Sequence, residues 1–317
     1  MTATLSPREV PATVAGDRDR RLPRRRTHRP PLFAILAIAP FILFAVVFAA
    51  YPVAQVVRMA FSDVQIRSGR LELTFAGLAN FVEEFSTPRA WQAIGNTVIF
   101  IAATVVLSVV VGVALAVLVD RCVRMLPVAR NVLIWPAVVA PVVVSLMWLL
   151  ILSPTVGGLN KLLRTLGLPA QGWLGDGPTA MAAVIVVDVW HWTPVVFLFM
   201  YTAIKAIDVS VLEAARVDGA REGQVIGRVI LPLLVPAIAA VAVIRVIMGV
   251  KAFDEMYLLT RGGPDGATTL VSQHIKTLFF DNSELGEASA FSLTVVAAVA
   301  LLLGIALFLR ERRGARA

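Results

Sequence analysis

Ser210-Val-Leu-Glu213-Ala-Ala-Arg-Val-Asp-Gly219-Ala-Arg-Glu-Gly-Gln-Val-Ile-Gly-Arg-Val229-Ile-Leu-Pro232 is a polar stretch rich in small residues, set between two hydrophobic segments at 180–204 and 233–259. Ser210 and Glu213 have capping-box spacing: the hydroxyl can accept from the amide three residues on while the carboxylate reaches back. A short helix is therefore expected from about Val211. Asp218 favours a turn after it, and Gly219 can take the left-handed conformation that closes a helix at no Cβ cost. A second helical stretch, 220–229, is expected to stop ahead of Pro232, since proline disfavours helical geometry in the residue before it. The resulting bent pair carries Ala214, Ala215 and Ala220, whose small side chains allow another surface to approach the backbone, with Leu212 and Val217 available for a shallow apolar slot. The local pattern suits a surface hairpin and a docking loop alike.

Composition fixes the solvent in which this loop must sit. Of the 317 residues 58% are hydrophobic and only 16% charged, far more apolar than a water-soluble domain. Segments 32–50, 98–119 and 288–309 carry no charge at all, and each is about as long as the ~20 residues a bilayer-crossing helix needs. Segment 132–153 is equally uncharged; its Pro136 and Pro141 are expected to be tolerated because neighbouring helices can re-satisfy the freed backbone. Segments 180–204, with Asp188 and His191, and 233–259, with Arg245, Lys251, Asp254 and Glu255, complete six spans of an all-α membrane protein. The apolar run of the first span exceeds that of a signal peptide, so it is expected to remain as an anchor.

Orientation follows from the basic residues. With the N-terminus in the cytoplasm, segments on that side hold 19 lysines and arginines, and those on the other side 7. The positive-inside rule then places both termini and the loop at 208–232 in the cytoplasm. Topology thus accounts for most of the net charge of +8, and no nucleic-acid partner is implied. Residues 1–30 read as a basic, disordered tail whose Arg20 to Arg29 portion is drawn to anionic lipid. A transmembrane domain at 31–310 and a short cytoplasmic tail at 311–317 follow.

The chain has a single cysteine, Cys122, and no phosphate-cradling G-x-x-x-x-G-K-[ST], H-E-x-x-H or G-x-S-x-G motif. His28, His191 and His274 fall in the tail, a span and an outer loop. No catalytic residue, metal or bound cofactor is expected, so uphill transport would draw its energy from a partner or an ion gradient.

Glu213-Ala214-Ala215, three residues, Gly219, nine residues, Val229 and then Leu231-Pro232 resembles the cytoplasmic "EAA" loop of bacterial ABC importer permeases. Val229, usually isoleucine, and Ile226, often aromatic in sugar-type members, depart mildly. Gly77-Leu78-Ala79-Asn80-Phe81, Trp91, Asn96-Thr97, Ala252-Phe253-Asp254, Leu258-Leu259-Thr260, Gly262-Gly263-Pro264 and the run from Gly286 to Ala290 are similar to the carbohydrate branch, the maltose-type and glycerol-phosphate-type permeases. Arg261 stands where that branch often has a small residue. The resemblance implies a type I ABC importer permease in the bacterial plasma (inner) membrane, working by alternating access. It implies a second similar permease, two ATPase subunits that carry the ATP and Mg, and an extracytoplasmic solute-binding protein delivering a small sugar or polyol. Its docking residues map here to Glu213, Ala214, Ala215, Asp218, Gly219, Ala220, Leu231 and Pro232.

Asp188 and His191 lie one helical turn apart near the middle of their span, flanked by Trp190 and Trp192. Carboxylate, imidazole and indole suit a sugar's hydroxyls and ring face, making Asp188, Trp190, His191, Trp192 and Arg245 candidates for the solute path. A packing role, with Asp188 opposite Arg245, fits the same residues. Lys251, Asp254 and Glu255 are spaced to neutralise one another on one helix face, or to line an outer gate. Two alternatives stand beside a sugar importer. One is a gradient-driven secondary transporter using Asp188 and His191. The other is an ABC permease for a phosphorylated polyol, with Arg245 or Lys251 facing the anion.

Overall fold

The computed structural model describes residues 32–67, 69–121 and 126–314; the tail at 1–30, Cys122 and the last three residues lie outside the described residues. The chain divides into two compact units, 1–52 and 53–317. In the first, α1 (Leu32–Ala45) runs through Pro40 into a π-helical turn (Val46–Ala50) and the opening residues of α2 (Tyr51–Ala60). Phe41, Phe44 and Phe48 are exposed along it, as suits a helix bathed in hydrocarbon.

The second unit begins with the rest of α2 and a small antiparallel hairpin, β1 (Ser62–Arg67) and β2 (Arg70–Phe75), paired from Ser62↔Phe75 to Arg67↔Arg70. The all-helical expectation does not include it: Asp63, Gln65 and Arg67 alternate with apolar residues, but six residues are too short a pattern to stand out. Helix α3 (Ala79–Ser86) is tied back by Asn80, whose side-chain amide donates to the carbonyls of Ala60 and Ser62, both at 2.9 Å.

Helix α4 (Pro88–Arg121, 34 residues) is the spine. Ala93, Thr97, Phe100, Thr104, Ser108, Gly112 and Ala116 are buried and recur every three or four positions, so one narrow and mostly small-residue face is covered. The covering element is α8 (Gly177–Lys205). A Cβ at Gly112 would lie 2.7 Å from Val196 Cγ1, a contact that no side chain can accept without movement. Gly112→Val is accordingly expected to cost about 1–3 kcal/mol by overpacking, read as a lower melting temperature in detergent. Gly95→Ala, whose Cβ meets nothing within 4 Å, is the neutral control.

Among the described residues five helices are long and apolar enough to cross a membrane: Leu36–Ala60, Pro88–Arg121, Gly177–Lys205, Glu222–Val250 and Leu285–Ile305. The expected straight crossing at 132–153 is instead bent by 107° between Val132–Val138 and Pro141–Ile151, the ends of α5 (Leu126–Val138) and α6 (Pro141–Ile151). Pro141 forces Ala140 into extended geometry (φ −62°, ψ 139°), which the helix cannot continue through. The amides of Val143 and Val144 both turn to the Ala140 carbonyl, leaving that of Val139 free for a side chain.

Helix α7 (Gly158–Thr165) follows, then α8. Beyond it lie α9 (Val209–Val217), α10 (Glu222–Val225), a π-helical turn (Ile226–Ile230) and α11 (Leu231–Val250). The expected helix end before Pro232 is absent. The Leu231 amide donates to the Ile226 carbonyl, five residues back, and this wider turn carries the helix past the proline. The expected span at 233–259 is likewise broken, because α11 stops at Val250 and α12 (Asp254–Thr260) starts afresh. Lys251 is therefore off the helix that carries Asp254 and Glu255, and the mutual neutralisation expected of the three is not formed. Arg261 closes α12 in the left-handed region (φ 51°), which explains why a small residue would suit that position better. Helix α13 (Val271–Lys276), a π-helical turn (Thr277–Asp281) and α14 (Leu285–Gly314) complete the chain. The final helix thus extends through most of the expected C-terminal tail.

Candidate functional site

Two sites take shape, one within the spans and one on the loop. In the first, α8 presents Asp188 and His191 one turn apart, both buried. Asp188 accepts from Arg245 Nη2 on α11, and Arg245 Nε donates to Ser108 Oγ on α4 at 3.3 Å. Three helices are thus joined through one guanidinium that is 1% exposed. A charge at that depth is expensive unless paired, and the pair supplies the compensation. His191 Nδ1 lies 3.0 Å from Glu255 Oε1, and its Nε2 lies 3.2 Å from the Val139 carbonyl, the one released by the Pro141 bend. Trp192 Nε1 also donates to Glu255 Oε1, at 3.3 Å.

These contacts sort the candidates. Asp188 and Trp192, with Lys251, Asp254, Glu255 and Pro141, line a polar cavity of about 160 Å³. His191 and Arg245 stand behind that wall as supports. Trp190 does not join them: it packs edge-on against Trp148, with centroids 5.6 Å apart, and faces a separate, mostly apolar groove with Pro136 and Pro194. Asp188 thus pairs with Arg245 across two helices and also contributes to the cavity lining. Glu255, which its spacing marks as a solvated surface charge, is a buried anchor. Only a helix break at Lys251, which an unbroken 233–259 span omits, turns it inward.

A second buried pair leaves no trace in the sequence pattern. His274 Nε2 and Glu84 Oε1 lie 2.6 Å apart, linking α13 to α3. His274 thus sits in a short helix within the segment that joins the last two spans. Asn96 and Thr97 clasp the segment ahead of α13: Asn96 donates to the carbonyls of Gly266 and Thr269, and Thr97 Oγ1 accepts from the Val271 amide at 2.9 Å.

On the loop, the cap is Asp208 rather than Ser210. Its carboxylate accepts from the Ser210 amide at 2.9 Å, so α9 begins at Val209 and Ser210 already lies inside the first turn. That amide holds the Asp208 carboxyl below its ordinary value, so the stability the ionised cap contributes is fully present above the ordinary aspartate titration and is lost as pH falls through the lowered one. At the other end, Ala220 N–H bonds to Ala215 C=O and Gly219 N–H to Arg216 C=O, the paired pattern of a left-handed helix stop, with Gly219 at φ +80°. Gln224 Oε1 accepts from the Arg221 amide at 2.8 Å and starts α10. Leu212, Ala215 and Ala220 face inward onto a core of Phe197, Met200, Val225 and Ile230. Glu213, Ala214, Asp218, Leu231 and Pro232 face outward, and Val217 is 87% exposed. Leu212 is therefore spent on the protein's own core, and of the two residues expected to meet a partner's slot only Val217 is available.

A many-span helical bundle with a small charged cavity among its spans and a capped, outward-facing loop at one end has the build of a membrane permease, and the relatives of this chain are transport components rather than enzymes. The chain belongs to the family described as the binding-protein-dependent transport system inner membrane component, which it matches over residues 125–312. It is 34% identical to the sn-glycerol-3-phosphate transport system permease protein UgpA of Brucella abortus, over 87% of this chain and 94% of the relative. It is 29% identical to the trehalose/maltose transport system permease protein MalF of Thermococcus litoralis, over 87% of this chain and 92% of the relative. Its fold is that of a bacterial ABC transporter chain involved in import of the acidic polysaccharide alginate, with TM-score 0.79 and 23% identity over 89% of this chain and 95% of that one.

Proposed function

We propose that this chain forms one half of the pore of an ATP-driven importer for a sugar or related polyol. A second, similar permease completes the pore, an extracytoplasmic binding protein delivers the solute, and two ATPase subunits holding ATP and Mg dock on the paired loops. Both termini and the loop then face the cytoplasm, in keeping with the excess of basic residues on that side. The observation that carries this reading is the two-faced loop. Its inner face is fixed to the core, and its outer face offers Glu213 and Ala214 on a helix stiffened by the Asp208 cap and the Gly219 stop. ATP-driven closure of the ATPases would push on this helix and tilt the spans, opening the cavity around Asp188 and Trp192 to alternate sides. The relatives that act on trehalose, maltose or glycerol phosphate support a hydroxyl-rich solute. A phosphorylated polyol is the second reading, favoured by Lys251, which lines the cavity and has no ion-pair partner among the described residues.

The test is to tag the chain in its native membrane, solubilise it gently and identify what co-purifies, with a 213–232 deletion as control. An ATPase recovered with the intact chain and lost with the deletion is the expected result. A stable, inserted chain that brings down no ATPase in either form would overturn the reading.

A further inference from the structure

The loop is held by more than apolar packing. Glu222, the first residue of α10, uses both carboxylate oxygens: Oε1 accepts from Arg216 Nε on α9 at 3.1 Å, and Oε2 from Arg121 Nη1 at the end of α4 at 2.7 Å. Asp120, beside Arg121, spans the other way, with Oδ1 2.6 Å from Lys205 Nζ at the end of α8 and Oδ2 3.8 Å from Arg121 Nε. Five charges in the order Arg216, Glu222, Arg121, Asp120, Lys205 therefore alternate in sign across four helices. We infer that this chain of charges is the mechanical link between the loop and the spans, with Glu222 and Asp120 as positioning residues that convert loop displacement into movement of α4 and α8. The inference rests on the proposed docking of an ATPase to the loop.

Isolated exposed ion pairs contribute little. Here each carboxylate is shared by two cations, and the inner members are largely covered: the side chains of Asp120 and Arg121 are 12% and 23% exposed. Among the described residues Arg121 Nε and Nη2 have no hydrogen-bond acceptor, so Glu222 is what orients this guanidinium. Apolar contacts through Leu212, Ala215 and Ala220 set how deeply the loop sits but are non-directional. The charge pairs fix its rotation and register against the two helix ends. Those helices are the ones that matter at the cavity. Twelve residues before Asp120, α4 carries Ser108, which holds Arg245, and thirteen before Lys205, α8 carries Trp192 in the cavity wall. At 1.5 Å per residue these lie about 18–20 Å away along rigid helices. A continuous physical path thus runs from Glu213 to Trp192 in the cavity wall and, through Ser108, to the Arg245 that holds Asp188.

The experiment compares the wild-type complex with Glu222→Gln and Asp120→Asn. It uses hydrogen–deuterium exchange across 209–225 and ATP hydrolysis with and without the binding protein. Glu222→Gln and Asp120→Asn are each expected to raise loop amide exchange by about fivefold and to lower binding-protein stimulation of hydrolysis several-fold. The ATPase should remain bound in both. Asp120 lies off the outward face, so its variant separates loss of the link from loss of docking surface. Wild-type exchange and stimulation in both variants would overturn the link. A wild-type chain without bound ATPase would instead overturn the docking reading, and loop exchange alone would still judge the link.

Discussion

Asp188→Ala is expected to destabilise the folded permease by about 3–5 kcal/mol, because it leaves the Arg245 guanidinium buried without its counter-charge. That is a large part of the roughly 5–15 kcal/mol that holds a typical protein together. Arg245 has nowhere else to turn: it is 1% exposed, its Nε is engaged by Ser108, and Nη1 has no acceptor among the described residues. The visible outcome should be loss of inserted, monodisperse protein. Removing both charges, Asp188→Leu with Arg245→Leu, takes away the unpaired ion and should recover most of the protein level. Uptake by that double variant then separates the two roles. Recovered uptake makes the pair purely a packing device; recovered protein without uptake gives Asp188 a part at the cavity it lines with Trp192. Equal protein yield for Asp188→Ala and wild type would contradict the buried-charge argument itself.

The spans are legible because burial in hydrocarbon needs long uncharged runs, and α4 and α14 follow from composition alone. The points where a helix breaks inside such a run are not. Pro141 reads as tolerable, yet it bends the third crossing by 107° and frees the carbonyl that receives His191. Pro232 reads as a stop, yet a π-helical turn carries the chain through it. A proline's effect depends on whether the neighbouring backbone has somewhere else to place its hydrogen bonds, and that is settled by tertiary contacts. The same holds for Glu255. Its spacing from Lys251 suggests a solvated pair, while its position after the break at Val250 aims it at His191 and Trp192. On the loop the glycine stop is readable because φ > 0 has one cheap residue. The cap is displaced because Asp208, two residues upstream, offers the Ser210 amide an equally good acceptor.

Gly219→Val is expected to separate ATP hydrolysis from uptake while leaving the protein folded. Gly219 sits at φ +80°, and a Cβ added there would meet nothing within 4 Å, so the obstacle is conformational and not one of space. A non-glycine residue there costs about 1–2 kcal/mol, and β-branching adds to it. That is too little to unfold a membrane bundle but enough to move φ out of the left-handed region. Once φ moves, the Ala220 amide leaves the Ala215 carbonyl and the Gly219 amide leaves that of Arg216, so the corner between α9 and α10 opens. Glu213 and Ala214 then lose their fixed direction relative to the spans, and Arg216 is drawn away from Glu222. A bound ATPase would still hydrolyse ATP, but its closure would no longer be delivered to α4 and α8. Gly219→Asn is the discriminating companion, since asparagine visits the left-handed region readily and should retain most of the coupling. A graded loss from Gly through Asn and Ala to Val, measured as solute taken up per ATP hydrolysed, follows from a conformational lever. Full transport by Gly219→Val would show that the bend is not part of force transmission.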